Sequence, residues 1–189
     1  ESKNYKLDSS HTLLFISGIR CQRAAIRQRV YRMGSAAKAH SGGAAMVYND
    51  FAGLSAFDSR QHFRQGTYTG HTAGIAPGML QGNVAILPAD YALDFARYCQ
   101  RNPQPCPLIG VSDTGNPIMQ TLGEDVDIRS DVPAYRIYEN GELKDEVTDI
   151  RDLWRNDFVA FAIGCSFTFE DALMAEGIEL RHIDQNKTV

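Results

Sequence analysis

The chain has 189 residues, 43% of them hydrophobic, and a formal net charge of −4. That size allows one domain with a proper core, or one domain plus an extension. No apolar run approaches the ~20 residues a membrane helix requires, and a small negative charge gives no reason to expect nucleic-acid affinity.

Charge is unevenly spread. Residues 1–50 hold eight basic residues (Lys3, Lys6, Arg20, Arg23, Arg27, Arg29, Arg32, Lys38) against three acids (Glu1, Asp8, Asp50). Leu13 to Ile19 is a short apolar run, followed by the arginines and then by a small-residue stretch from Gly34 to Ala45. This is the composition of a disordered or incidental extension, or of a mitochondrial presequence. We therefore expect residues 1–57 to pack little against the rest, having little apolar face to bury. A folded domain is expected over residues 58–189.

From Ser59 the texture changes. Arg60 to Gln65 reads as a short polar helix, and a glycine-rich loop follows from Gly66 to Gly78. The loop lacks the Gly-Lys-Ser/Thr ending of a phosphate-binding Walker motif. It either presents backbone N–H groups to an anion or simply wraps the surface.

Asn83 to Leu87 is a short apolar strand. Pro88-Ala89-Asp90 opens a helix with Ala92, Phe95, Ala96 and Cys99 on one face. Arg101-Asn102-Pro103 stops it, and Leu108 to Val111 is the next strand. Strand, helix and strand in about thirty residues make a βαβ unit with parallel strands. Ala134 to Glu139 and Glu142 to Val147 flank Asn140-Gly141, the signature of a type I′ hairpin. Asp149 to Arg155 is a short helix.

Six apolar residues, Phe158 to Ile163, read as a strand covered on both faces. Gly164 permits a tight turn. Thr168 with Asp171 fits a capping box, so a helix should run from Phe169 to about Ala175. Gly177 ends it, and Ile178 to Ile183 returns as a strand, completing a second βαβ unit. The fold class is α/β, a mixed sheet with two βαβ units and a β-hairpin.

A thiol, hydroxyls and carboxylates thus crowd the carboxyl end of one strand: Cys165, Ser166, Thr168, Glu170 and Asp171. In open α/β sheets that edge is where ligands bind. Asp113, just past the Leu108–Val111 strand, qualifies on the same ground. The four cysteines (21, 99, 106, 165) show no CxxC spacing, and the five histidines (11, 40, 62, 71, 182) no HxH or HExxH arrangement. No metal or cofactor is expected, and a reducing compartment is the default. That means the cytoplasm, or the mitochondrial matrix if residues 1–57 are a presequence.

Several stretches match a known family in order and spacing. They are Gly70-His71-Thr72-Ala73-Gly74-Ile75-Ala76-Pro77-Gly78, Gln81 to Pro88, Phe95 to Pro107, Asp131 to Arg136, Asp149 to Trp154, Gly164 to Glu170, and Arg181-His182-Ile183-Asp184-Gln185. Together they resemble the D-glutamate cyclase family, whose bacterial members carry the name hydro-lyase. The resemblance covers about residues 59–189. Members of that family continue past the position of Val189, so the chain is expected to correspond to their amino-terminal part.

The resemblance implies closure of glutamate to 5-oxoproline with loss of water. The α-amine attacks the γ-carboxyl carbon, and because the reaction is intramolecular, orientation supplies much of the advantage. A general base must free the amine, and donors must activate the carboxylate. Cys165 is either a nucleophile forming a γ-glutamyl thioester or a small buried side chain beside a turn. Glu170 is the base or a residue favourable to the helix dipole. Ser166 and Thr168 bind substrate oxygens or cap the helix. Arg136 grips a carboxylate or sits in a solvated ion pair. Asn83 and His182 complete the substrate-binding candidates, each with a structural alternative. Gln81, beside Asn83, reads as satisfying the backbone.

The partner implied is a small acidic amino acid or related carboxylate, with neither nucleic acid nor membrane. Two readings from other classes stand beside the lyase. One is a non-catalytic carboxylate-binding protein. The other is an assembly module that pairs with a further subunit, for instance as a homo-oligomer.

Overall fold

The computed structural model describes residues 12–15, 45–72, 75, 76 and 78–181. Among them are six strands: β1 Thr12–Phe15, β2 Gly82–Pro88, β3 Leu108–Val111, β4 Tyr135–Glu139, β5 Glu142–Val147 and β6 Phe158–Gly164. They form one sheet in the order β3-β6-β2-β1-β4-β5. Three helices accompany it: α1 Ala56–Arg64, α2 Ala89–Arg101 and α3 Phe167–Ala175. The α/β class expected from the sequence stands.

β2 and β6 are the apolar runs, and they pair along their whole length, from Gly82 opposite Gly164 to Pro88 opposite Phe158. Alternating side chains point to opposite faces. Val84, Ile86, Ala160 and Ala162 face a core completed by Met119, Val126, Ile128, Tyr135 and Ile150. Ala85, Leu87, Val159 and Phe161 face α2, which lays Ala92, Phe95 and Ala96 on them. Phe95 meets Phe161 edge-on at 5.0 Å between ring centres.

The first βαβ unit is present with one change. β2 and β3 run in the same direction, but they are not neighbours, because β6 lies between them and is antiparallel to both. The most apolar strand takes the position flanked on two sides. Every described strand pair is antiparallel, so the sheet is not mixed among neighbours. The second βαβ unit lacks its last strand over 178–180, which is irregular, and residues 182 and 183 lie outside the described residues. The β4–β5 hairpin is as expected, with Asn140 and Gly141 both at positive φ (51° and 81°).

Parts of the stretch read as an extension belong to the fold. β1 sits inside the sheet, paired with β2 on one side and β4 on the other. Phe51 is buried against Phe63 and Tyr68 in a second, smaller core. The Met46 N–H donates to the Thr67 carbonyl at 2.9 Å. The compositional shift before residue 60 does not mark where packing begins, because four residues of strand and one phenylalanine suffice to join a core while arginines dominate the average. The remainder of residues 1–44 lies outside the described residues.

Ion pairs of both Arg60 and Arg64 with both Asp125 and Asp131 tie α1 to the loop before β4. Arg64 forks onto Asp131, Nε to Oδ1 at 2.5 Å and Nη2 to Oδ2 at 2.8 Å, and Arg60 meets Asp125 at 2.5 Å. The hydrogen bond to Asp131 holds the Arg64 pKa above its ordinary value.

Tyr135 is fully buried on β4, and its hydroxyl donates to the Ile128 carbonyl at 2.7 Å. Burial pushes the phenol pKa up, so the donor keeps its proton. Tyr135→Phe will leave that carbonyl without its partner and lower stability by about 1–2 kcal/mol. A shift of the urea midpoint with unchanged slope is the measurement.

Candidate functional site

Three segments converge where β6 ends: residues 79–82, 106–108 and 164–170. The Gly164 N–H donates to the Pro107 carbonyl at 2.8 Å. Gly82 stands opposite Gly164, and a Cβ there would lie 2.8 Å from the Ile163 carbonyl oxygen and 3.0 Å from Ile109 Cδ1. Backbone cannot yield as a side chain can. Gly82→Ala will therefore force β2 and β6 apart locally, at about 1–3 kcal/mol. Thermal unfolding, with exchange of the Cys165 amide, reads both consequences.

Gln81 organises the site through its backbone. Its carbonyl accepts from the Cys165 N–H at 3.4 Å and from the Thr168 hydroxyl at 3.2 Å. Its own N–H donates to Thr168 Oγ1 at 3.1 Å. The Cys165 thiol points at the same carbonyl, 3.6 Å away. The side-chain amide donates to the Ile75 carbonyl at 3.1 Å, which anchors the glycine-rich loop to this corner. Gln81 reads in the sequence as satisfying the backbone; only the fold shows that one residue holds both Cys165 and Thr168.

α3 opens at Phe167, two residues before the expected start, and the capping box does not form around Thr168, whose hydroxyl is engaged with Gln81. Ser166 occupies the cap position without capping the backbone. Its hydroxyl donates instead to Glu170 Oε1 at 3.1 Å, one turn along. Cys165, Thr168 and Glu170 are partly buried and Ser166 is exposed. Asn83 stands one residue beyond Gly82, opposite Ile163. The structure thus gathers Cys165, Ser166, Thr168, Glu170 and Asn83 at one corner.

Two candidates lie elsewhere. Asp113 follows β3, whose end pairs with the beginning of β6: the Ser112 N–H donates to the Ala160 carbonyl and the Gly115 N–H to that of Phe158. β6 runs the other way, so Asp113 sits at the far end of the strand, about 20 Å from Cys165 at ~3.3 Å per residue. The carboxyl-edge argument presumes parallel neighbours, and β3 and β6 are antiparallel. Arg136 lies three strands from β6 and pairs through Nε with Glu146 at 2.5 Å, an exposed ion pair across the hairpin. His182 lies outside the described residues. Among those described, no group of three or more histidine, cysteine, aspartate or glutamate residues is placed to hold a metal, and no helix is long and apolar enough to cross a membrane.

The family model described as D-glutamate cyclase matches residues 159–189, from β6 onward through α3. A protein of Dinoroseobacter shibae named "Putative hydro-lyase" is 59% identical over 150 residues, covering 79% of this chain and 50% of that protein. Proteins of the same descriptive name from Ruegeria pomeroyi and Rubrobacter xylanophilus are 58% and 52% identical over 142 and 134 residues. These cover 75% and 71% of this chain, and 52% of each relative. The chain spans about half the length of the curated relatives it matches.

Proposed function

The chain belongs to the D-glutamate cyclase family, and from that premise we propose that it carries part of a hydro-lyase site that closes glutamate to 5-oxoproline. The observation that supports this reading is the corner at the end of β6, where a thiol, a hydroxyl and a carboxylate stand within the short segment from Cys165 to Glu170. Glu170 takes a proton from the substrate ammonium. The freed amine attacks the γ-carboxyl carbon, the C–N bond forms, and one carboxyl oxygen leaves as water after gaining protons. The Ser166 hydroxyl and the Cys165 thiol can rotate from Glu170 and Gln81 to the substrate oxygens and donate there. Thr168 and Asn83 border the same space, Thr168 holding the Gln81 corner in place.

The Cys165 thiol is already turned to the Gln81 carbonyl, so direct attack by the amine needs fewer rearrangements than a thioester route. Glutamate also brings an α-carboxylate. Arg64, Arg129, Arg136, Arg151 and Arg155 are each already paired with an aspartate or glutamate.

Incubation of this chain, joined to the remainder of the Dinoroseobacter shibae relative, with D- and L-glutamate, following 5-oxoproline, tests the reading. Product above the uncatalysed rate supports it. Saturable thermal stabilisation by glutamate without product makes the chain a carboxylate-binding module instead. Neither product nor stabilisation overturns both.

A further inference from the structure

The two edges of the sheet are built differently. β5 reads Glu142-Leu143-Lys144-Asp145-Glu146-Val147, with four charges in six residues. Charged edges of this kind discourage the addition of another strand. β3, at the opposite edge, reads Leu108-Ile109-Gly110-Val111 and carries no charge. Leu108 and Val111 are 39% and 44% exposed.

Large apolar side chains gather at the same margin. Met79 and Leu80, 53% and 65% exposed, lead directly into Gln81, which is bonded to Cys165 and Thr168. Phe169, 56% exposed, follows on α3, with exposed Met174 further along the helix and exposed Ile178 past its end. The Gly164–Pro107 hydrogen bond joins the end of β6, three residues before α3, to the residue that precedes β3. An uncharged strand at the end of the described sheet, beside a run of exposed apolar groups, is a surface suited to polypeptide, which can pair with the side of β3 that no described strand occupies and cover the side chains together.

We propose that β3, the turn at residues 79–80 and the outer side of α3 form the docking surface for the segment that makes up the other half of the relatives. That segment adds an apolar strand to β3 and closes over Leu80 and Phe169. Its length is the reason for choosing it over a second copy of this chain: the relatives are about twice as long as the part matched here. The proposal is independent of the glutamate reading, because it requires the segment whatever the reaction.

The test uses a single polypeptide in which this chain continues into the part of the Dinoroseobacter shibae relative carboxyl-terminal to its match. Hydrogen exchange is compared between the joined chain and this chain alone. Peptides over residues 78–82, 107–112 and 167–178 should slow by about tenfold or more in the joined chain, while those over α2 and β5 keep their rates. In the joined chain, Phe169→Asp should restore fast exchange over 107–112 as well as over 167–178. Equal exchange in the two forms overturns the proposal, as does protection that falls on α2 or β5. So does a Phe169→Asp effect confined to 167–178. Slow exchange already present in the chain alone means its own residues cover the surface. Slowing that grows with the concentration of the chain alone assigns the surface to a second copy.

Discussion

Asp131→Ala will cost about 3 kcal/mol of folding stability, the lower end of the range for breaking a buried ion pair. The carboxylate is 1% exposed and serves two guanidiniums: Arg64 through both oxygens, and Arg60, whose Nε lies 3.2 Å from Oδ2. It also accepts the Asp127 N–H at 3.2 Å. Removing it leaves two cations, 19% and 28% exposed, with only the outer Asp125 carboxylate between them. Their partial contact with water is why the lower end applies. Asp125→Ala should cost less, since that side chain is 36% exposed. Urea unfolding of the two variants gives the comparison. A loss at Asp131 below that at Asp125 would mean that the buried carboxylate does not hold α1 to the sheet.

Glu170→Gln will lower 5-oxoproline formation by about 10²–10⁴-fold, the usual span for loss of a general base. The rate is to be measured on the chain joined to the remainder of the Dinoroseobacter shibae relative. Glutamine keeps the shape and can still accept from the Ser166 hydroxyl, so α3 and its neighbours stay in place. It cannot take the amine proton at neutral pH. KM should change little, since the base acts after binding. Turnover near that of the parent would remove Glu170 from the mechanism. Cys165→Ser supplies the contrast. A hydroxyl still donates, so most turnover survives if the thiol is a donor, whereas a nucleophile would be lost with the sulfur.

The corner at β6 was legible because its signals are local. Six apolar residues, a glycine and a run of polar side chains need only chain order to be brought together. The hairpin was legible for the same reason, through Asn140-Gly141. Strand direction was not. Nothing in Leu108 to Val111 says which neighbour it takes, and the insertion of β6 reversed the edge on which Asp113 lies. β1 was hidden by its setting, a four-residue strand next to an arginine-rich stretch. Gln81 reads in the sequence only as satisfying the backbone; its hold on both Cys165 and Thr168 was hidden because it is made by backbone atoms that every residue possesses. Arg136 met the bland expectation, an ion pair across a hairpin.

The insertion of β6 between β2 and β3 also governs the order of events during synthesis. β2 ends at Pro88 and β6 at Gly164, an interval of roughly 4–15 s at ~5–20 residues per second. Throughout that time β2 has β1 on one side and an empty place on the other, and β3 has no strand partner. The sheet cannot close as the chain emerges; it waits for one late strand to enter between two early ones. Such non-local pairing makes for slow folding and a nascent chain with apolar strands uncovered for seconds, the period in which a chaperone has the most to hold.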